Sequence, residues 1–221
     1  MTPFTAKPVL TGSRVTLRPV TADDAETMIA IFADPDVSRL TGSVNSSAPA
    51  EAMPLDGARR WYGSRAYAED RLDLAIVERA TGRLVGEAVL NEWDPGSSSA
   101  SFRTLVGPAG RDRGLGTEST RLLLTYAFER LGLHRVGLEV FDFNPRARHV
   151  YEKVGFVYEG TRRHALRFDD EWIDAHDMSI LAHEWERHRG RPEGVDGPKP
   201  PAADASRRVV HPARAAVDGG V

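Results

Sequence analysis

The stretch from residue 100 to residue 159 constrains the fold of this chain more than any other part. Three short apolar runs, at 100–106, 135–141 and 156–159, alternate there with two helical patterns. The first helix covers 114–131, with Leu115, Leu122, Leu123, Tyr126 and Leu131 at helical spacing. Gly132 stands where a helix C-terminal glycine belongs. The second helix opens on Asn144-Pro145, an N-cap followed by proline at the first helical position, and closes near Gly155.

The segments before and after fit the same architecture. Residues 14–20 alternate as a strand, and Thr21-Ala22-Asp23-Asp24 starts a helix that runs through 25–32. Asp34-Pro35-Asp36 interrupts it, residues 42–54 are loop-like, and a further helix is expected over 55–70. Strands over 72–78 and 84–90 meet at Thr81-Gly82, and a final strand is expected over 173–181. Strand, helices, a run of strands, then alternating strands and helices define an α/β fold. Its sheet is mixed, with helices on both faces. The expected organisation is a polar arm (1–10), one domain (11–189) and a disordered Pro/Ala/Arg-rich tail (190–221).

Composition excludes several classes of function. The chain has 221 residues, enough for one full core, and its net charge of -3 gives no basic field for nucleic acid. It has no cysteine, which excludes disulfides, iron–sulfur clusters, thiolate metal sites and a cysteine nucleophile. The first ten residues lack a secretory pattern and no apolar run is long enough to span a bilayer, so a cytoplasmic protein without membrane attachment is expected. No metal is expected: His183 and His188 come close to a zinc-protease spacing but have one residue too many between them.

Two segments carry candidate chemistry. In Arg111-Asp112-Arg113-Gly114-Leu115-Gly116-Thr117, glycines open a helix just after a strand. The free N–H groups of such a terminus suit a pyrophosphate, although a surface glycine loop has the same appearance. The P-loop and dinucleotide fingerprints both fail here, since no Gly-Lys-Ser/Thr follows and Ser119 stands at the third glycine position. The second segment runs from Asn144 through Ala147, Val150 and Tyr151 to Gly155-Phe156; as a plain capped helix it accounts for everything except the tyrosine.

Together, in this order and spacing, the segments resemble the two signature motifs of the GCN5-related N-acetyltransferases. Arg111, Gly114 and Gly116 match the first; Asn144, Ala147, Val150, Tyr151, Gly155 and Phe156 match the second. Glu159-Gly160, Asp174 and Glu184-Trp185 resemble the ribosomal-protein-alanine acetyltransferase branch (RimJ/RimL-like), although Ala147 stands where that branch often has serine. The resemblance implies a mostly antiparallel sheet of six to seven strands. It implies acetyl-CoA as co-substrate and direct attack by an amine acceptor, through a tetrahedral intermediate. Leu105, Val106, Arg111, Arg113, Gly114, Leu115, Gly116, Thr117 and Asn144 are then expected at the cofactor, Tyr151 as the acid and Glu139 as the base. An α-amino group has a pKa of about 7.7–8.0 and lysine about 10.4, so an acceptor must lose a proton before attack. The acceptor, a small molecule or a protein N-terminus, is expected among residues 34–54, Trp93, Phe141 and Ile173. A non-catalytic acyl-CoA-binding module and a succinyl-CoA-dependent transferase remain as alternatives. A homodimer is the general prior for oligomers.

Overall fold

The computed structural model describes residues 3–48, 51 and 53–189. The expected tail, 190–221, lies outside the described residues. The elements in chain order are β1 (Leu10–Thr11), β2 (Val15–Pro19), α1 (Ala25–Phe32), α2 (Pro35–Leu40), α3 (Leu55–Ser64), β3 (Leu72–Glu78), β4 (Leu84–Asp94) and β5 (Ser99–Val106). There follow α4 (Leu115–Glu129), β6 (Arg135–Phe141), α5 (Pro145–Val154), β7 (Val157–Phe168), β8 (Glu171–Leu181) and α6 (Ala182–His188).

All eight strands form one open sheet in the order β1-β2-β3-β4-β5-β6-β8-β7. Only the β5–β6 boundary is parallel; the others are antiparallel. The cause is the connection: α4 crosses over between β5 and β6, whereas tight turns join the antiparallel neighbours β3–β4 and β7–β8. Six to seven strands were expected. The eighth is the two-residue β1, too short to show a period. The last hairpin is also longer than its expected pieces, because β7 is exposed along nearly all its length and shows no alternation.

Local chemistry sets the ends of the helices. Asp34 accepts from the Val37 N–H at 2.9 Å and Pro35 follows, so the residues that end α1 also start α2. Glu118, in the first turn of α4, accepts from the Ser13 hydroxyl at 2.9 Å and the Arg14 N–H at 3.1 Å, which ties the β1–β2 loop to that helix. Gly132 takes φ +67°, as a glycine closing a helix does.

Two apolar clusters cover the two faces of the sheet. The larger packs Leu123, Leu124 and Ala127 of α4, Val154 of α5 and Trp185 of α6 against Leu74, Ile76, Leu90, Phe102, Val136 and Ile180. The smaller places Met28, Ile31, Val37, Ala58 and Tyr62 over Ala75 and Leu105. Helices therefore lie on both faces, and α1–α3 cover only the β2–β5 half of theirs. Among the described residues, no helix is long and apolar enough to cross a membrane.

Residues ahead of Thr11 also join the core. Phe4 is fully buried and meets Trp93 edge-on with ring centroids 6.0 Å apart. Replacing a buried phenylalanine with alanine costs about 3–5 kcal/mol. Phe4→Ala is expected to lower the unfolding free energy by about that amount in urea denaturation. A change below about 0.5 kcal/mol, the range of an ordinary surface substitution, would show that the segment contributes nothing to the fold.

Candidate active site

The parallel strands β5 and β6 pair over only three positions: Ser99 with Arg135, Ala100 with Val136 and Ser101 with Gly137. Beyond these the strands part. β5 stays with β4 as far as Val106, and β6 stays with β8 as far as Phe141. A cavity of about 1070 Å³ opens between them, lined by Phe102–Val106 on one side and Gly137–Phe141 on the other. Backbone N–H and C=O groups on these inner edges need partners other than a neighbouring strand. One of them, the Val106 carbonyl, accepts from Arg111 Nε at 3.3 Å.

At the far end of the cleft lies the N-terminus of α4. Its cap is Gly114 at φ +74°, a left-handed conformation that favours glycine, and no side chain caps the helix. The first α4 bond runs from the Glu118 N–H to the Gly114 carbonyl at 3.1 Å. The N–H groups of Leu115, Gly116 and Thr117 precede that first bond, and all three residues line the cleft. Close approach explains Gly110 but not Gly116, where a Cβ would meet only ordinary contact. A Cβ on Gly116 would sit 3.4 Å from Val106 Cγ2, and one on Gly110 would sit 2.7 Å from Val106 Cγ1. The sequence reading missed Gly110.

The two arginines of this loop have different roles. Arg111 lines the cleft, but its guanidinium is tied to Asp34 at 3.1 Å and Asp36 at 3.7 Å, which clamps the loop to the start of α2. Arg113 turns away from the cleft to pair with Glu78 and to donate to the Ala109 carbonyl at 3.1 Å. The structure thus brings Leu105, Val106, Arg111, Gly114, Leu115, Gly116, Thr117, Glu139, Asn144 and Tyr151 to one cavity, without Arg113. Trp93 and Ile173, expected near the acceptor, do not line it, whereas Asp36, Val37, Leu40, Thr41 and Phe141 do.

α5 supplies Asn144 and Tyr151. Asn144 Oδ1 accepts from the Ala147 N–H at 3.1 Å and Nδ2 donates to the Leu40 carbonyl at 3.4 Å, so this side chain joins α5 to the end of α2. Tyr151 packs edge-on against Phe102 and Phe156, with centroids 6.2 and 5.8 Å away. Burial pushes its phenol up to about 12, so it remains protonated throughout the neutral range.

Opposite Tyr151, on the α1–α3 face, the cleft presents charged side chains. Glu139 is ion-paired with Arg162, which also holds Asp177 at 3.1 Å. Glu87, which the sequence reading missed, is buried on β4, and its Oε2 has no hydrogen-bond partner among the described residues. Desolvation, reinforced by the negative charge of Asp73, pushes its carboxyl up to about 7. The available signal was a single acid inside the apolar run Leu84-Val85-Gly86-Glu87-Ala88-Val89-Leu90.

A sheet parted beside an uncapped helix N-terminus, with a buried tyrosine below the gap, matches a known family. Residues 14–157 match the acetyltransferase (GNAT) domain, and the chain belongs to that family. A spermidine N(1)-acetyltransferase of Escherichia coli (strain K12) is 28% identical over 119 residues, which make up 54% of this chain and 64% of that protein. The chain thus spans less than two thirds of that relative. The uncharacterized N-acetyltransferase YoaA of Bacillus subtilis (strain 168) is 27% identical over 175 residues, 79% of this chain and 97% of YoaA. The crystal structure of spermidine N-acetyltransferase from Vibrio cholerae in complex with CoA and spermine shares the fold, with a TM-score of 0.70 at 23% identity. That likeness covers 79% of this chain and 99% of the other.

Glu87 gives the site a pH signature. Folding raises its pKa from the ordinary 4.5 to about 7, so the folded chain binds the proton more tightly. The associated stability is present in full below the ordinary value and is lost as pH rises through about 7. Relative to Glu87→Gln, the wild type is expected to lose unfolding free energy between pH 4.5 and 7 and to level off above that. Urea denaturation at half-unit pH intervals measures the difference. A flat difference across this window would mean that Glu87 titrates as an ordinary exposed carboxylate.

Proposed function

We propose that this chain is an acetyl-CoA-dependent N-acetyltransferase acting on a primary amine. One observation carries the reading: the parted β5 and β6 strands, the open α4 terminus and Tyr151 all border the same cavity. The names of relatives support the chemistry, as does the CoA and spermine complex of the Vibrio cholerae fold neighbour.

The residues present fit a CoA thioester. Its phosphates would meet the N–H groups of Leu115, Gly116 and Thr117, where a helix N-terminus favours negative charge. Gly116 leaves the backbone of the α4 terminus unshielded by a side chain, with only Val106 Cγ2 near the position a Cβ would take. The pantetheine arm would take the place of the missing strand between β5 and β6 and satisfy the edge groups near Leu105 and Val106. A bound acetyl-CoA supplies the activated acyl group.

The remaining work falls to the chain. Backbone N–H groups on the inner edge of β5 would stabilise negative charge on the acyl oxygen; in other enzymes each such aimed donor contributes about 2.7–4 kcal/mol. A carboxylate on the acceptor side takes the proton of the amine. Both Glu139 and Glu87 line the cleft, but the guanidinium of Arg162 already engages Glu139. Glu87, without such an ion pair and with a pKa of about 7, is closer to the ideal for a base at neutral pH. Tyr151 donates a proton to the departing sulfur, and its raised pKa keeps that proton available. An ammonium acceptor first gives its extra proton to solvent. The neutral amine then forms the N–C bond and loses one proton to the carboxylate, the C–S bond breaks, and Tyr151 gives one proton to sulfur. Solvent returns a proton to the phenolate and removes one from the carboxyl.

Tyr151→Phe is expected to lower kcat by about 10²–10⁴-fold, the usual contribution of a positioned acid, with acetyl-CoA affinity by calorimetry nearly unchanged. Unchanged turnover would remove Tyr151 from the chemistry. Tight CoA binding by a wild type that turns over no amine would identify a binding module instead. Gly114→Val, which puts a branched residue into a left-handed cap, is expected to weaken CoA binding at least tenfold by the same calorimetry, through loss of the N–H cradle. Retained affinity would place the phosphates elsewhere.

A further inference from the structure

Five arginines line the cleft, and four of them are ion-paired. Arg111 holds Asp34, Arg135 holds Glu159, Arg146 holds Asp112 at 2.9 Å, and Arg162 holds Glu139 and Asp177. The guanidinium of the fifth, Arg103, makes no hydrogen bond or ion pair among the described residues, although its charge acts on Glu87. Two acids in the cleft also lack an ionic partner: Glu87, and Glu92, whose Oε2 accepts only from the Ser101 hydroxyl at 2.6 Å. Outside its internal pairs, the cleft therefore presents one guanidinium and two carboxyl groups.

The position of Arg103 assigns it to the acceptor. On β5 it is paired with Val89, and Leu105 is paired with Glu87. Arg103 and Glu87 are thus diagonal neighbours on adjacent strands, on the same face of the sheet. That face is the one covered by Leu105 and α1–α3, opposite Phe102, Tyr151 and α4. The phosphate-binding terminus follows Val106 at the open end of the cleft, whereas Arg103 lies two residues from Ser101, where the strands join. Arg103 therefore sits on the sheet face opposite Tyr151 and at the end of the cleft away from the α4 terminus.

We propose that Arg103 is a specificity-determining residue that holds a carboxylate of the acceptor, so that the substrate class is an amine bearing a carboxylate, with its nitrogen directed to Glu87 and Glu92. This rests on the acetyltransferase reading above. A guanidinium binds a carboxylate through two parallel N–H bonds, a geometry that lysine does not reproduce. A polycationic amine would gain from Glu87 and Glu92 but would bring a second positive charge against Arg103. A neutral amine would leave the guanidinium without a partner in the occupied cleft.

The test is CoA release by the full chain with acetyl-CoA and length-matched acceptors: 6-aminohexanoate, hexylamine and 1,6-diaminohexane, together with L-leucine and L-leucinamide. Wild type is expected to favour at least one carboxylate-bearing acceptor over its partner by roughly ten- to hundredfold in kcat/KM, the range for a hydrogen bond to a charged group. Arg103→Gln is expected to collapse that ratio mainly through KM, and Arg103→Lys to recover part of it. Equal use of acid and neutral amine, a preference for the diamine, or a ratio that survives Arg103→Gln would each overturn the proposal. So would an unchanged acid-to-amide ratio in a variant that selectively loses succinyl-CoA as donor, because the carboxylate would then belong to the acyl chain. Calorimetry of 6-aminohexanoate and hexylamine with the CoA-loaded protein reads the preference without turnover. Equal affinities overturn this inference alone, whereas failure of every acceptor to react, with the acid still preferred in binding, overturns the acetyltransferase reading and leaves the carboxylate site standing.

Discussion

The incomplete pairing of β5 and β6 is the constraint on which the rest of the structure depends. A parallel pair needs a long crossover, and α4 supplies it. The pair then breaks after Ser101 and Gly137. Phe102, the next residue on β5, packs with Tyr151 and Phe156 below the gap. This aromatic group belongs to the fully packed core, so a motion that closed the strands would have to displace buried rings. The opening is therefore part of the rigid scaffold, and loop rearrangement is not needed to create it.

From that opening the molecule divides into two unlike sides. Below the gap are apolar packing, a protonated phenol and an uncapped helix terminus. Above it are arginines and carboxylates, most of them paired with each other. The pairs are largely exposed, and such pairs contribute about 0–1 kcal/mol each, so their main effect here is on the charge presented to a ligand. Arg111 connects the two sides: its guanidinium reaches Asp34 on the α2 cap while its Nε holds the Val106 carbonyl. Arg111 thus fixes the loop to the start of α2, a role that its charge alone would not suggest.

What the sequence disclosed follows from how local each requirement is. Gly114, Gly132 and Gly155 each answer a positive φ, and Asn144-Pro145 answers a helix start, so these positions were readable without neighbours. The strand and helix order was readable because both faces of the central strands are buried against long apolar patterns. Only the start of β7, at 157–159, was read, and the rest escaped, since a nearly uniformly exposed strand has no alternation to detect. α2 escaped because Asp34-Pro35 signals an end as readily as a start. The direction of Arg113 could not be read at all: its partner Glu78 is 35 positions away, and only the tertiary fold brings the two together.

Glu87 is the residue where stability and chemistry pull apart. Its carboxyl lies in a sheet interior beside Asp73, itself held by Arg71 at 2.6 Å, and one oxygen has no hydrogen-bond partner among the described residues. Burying an unpaired polar group costs about 1–3 kcal/mol by mutational measures, and an apolar residue of similar size would avoid that cost. The neighbouring phenol of Tyr62 is pushed up by burial and then by the Glu87 charge itself, which gives no relief. Two arginines lower the cost of ionising Glu87, Arg103 more than Arg71, and Arg103 does so across the strand without forming a pair. A ligand carboxylate on Arg103 would weaken that support and raise the proton affinity of Glu87 further. In the proposed reaction, such an acceptor would make the Glu87 carboxylate a stronger base while lowering the fraction ionised at neutral pH.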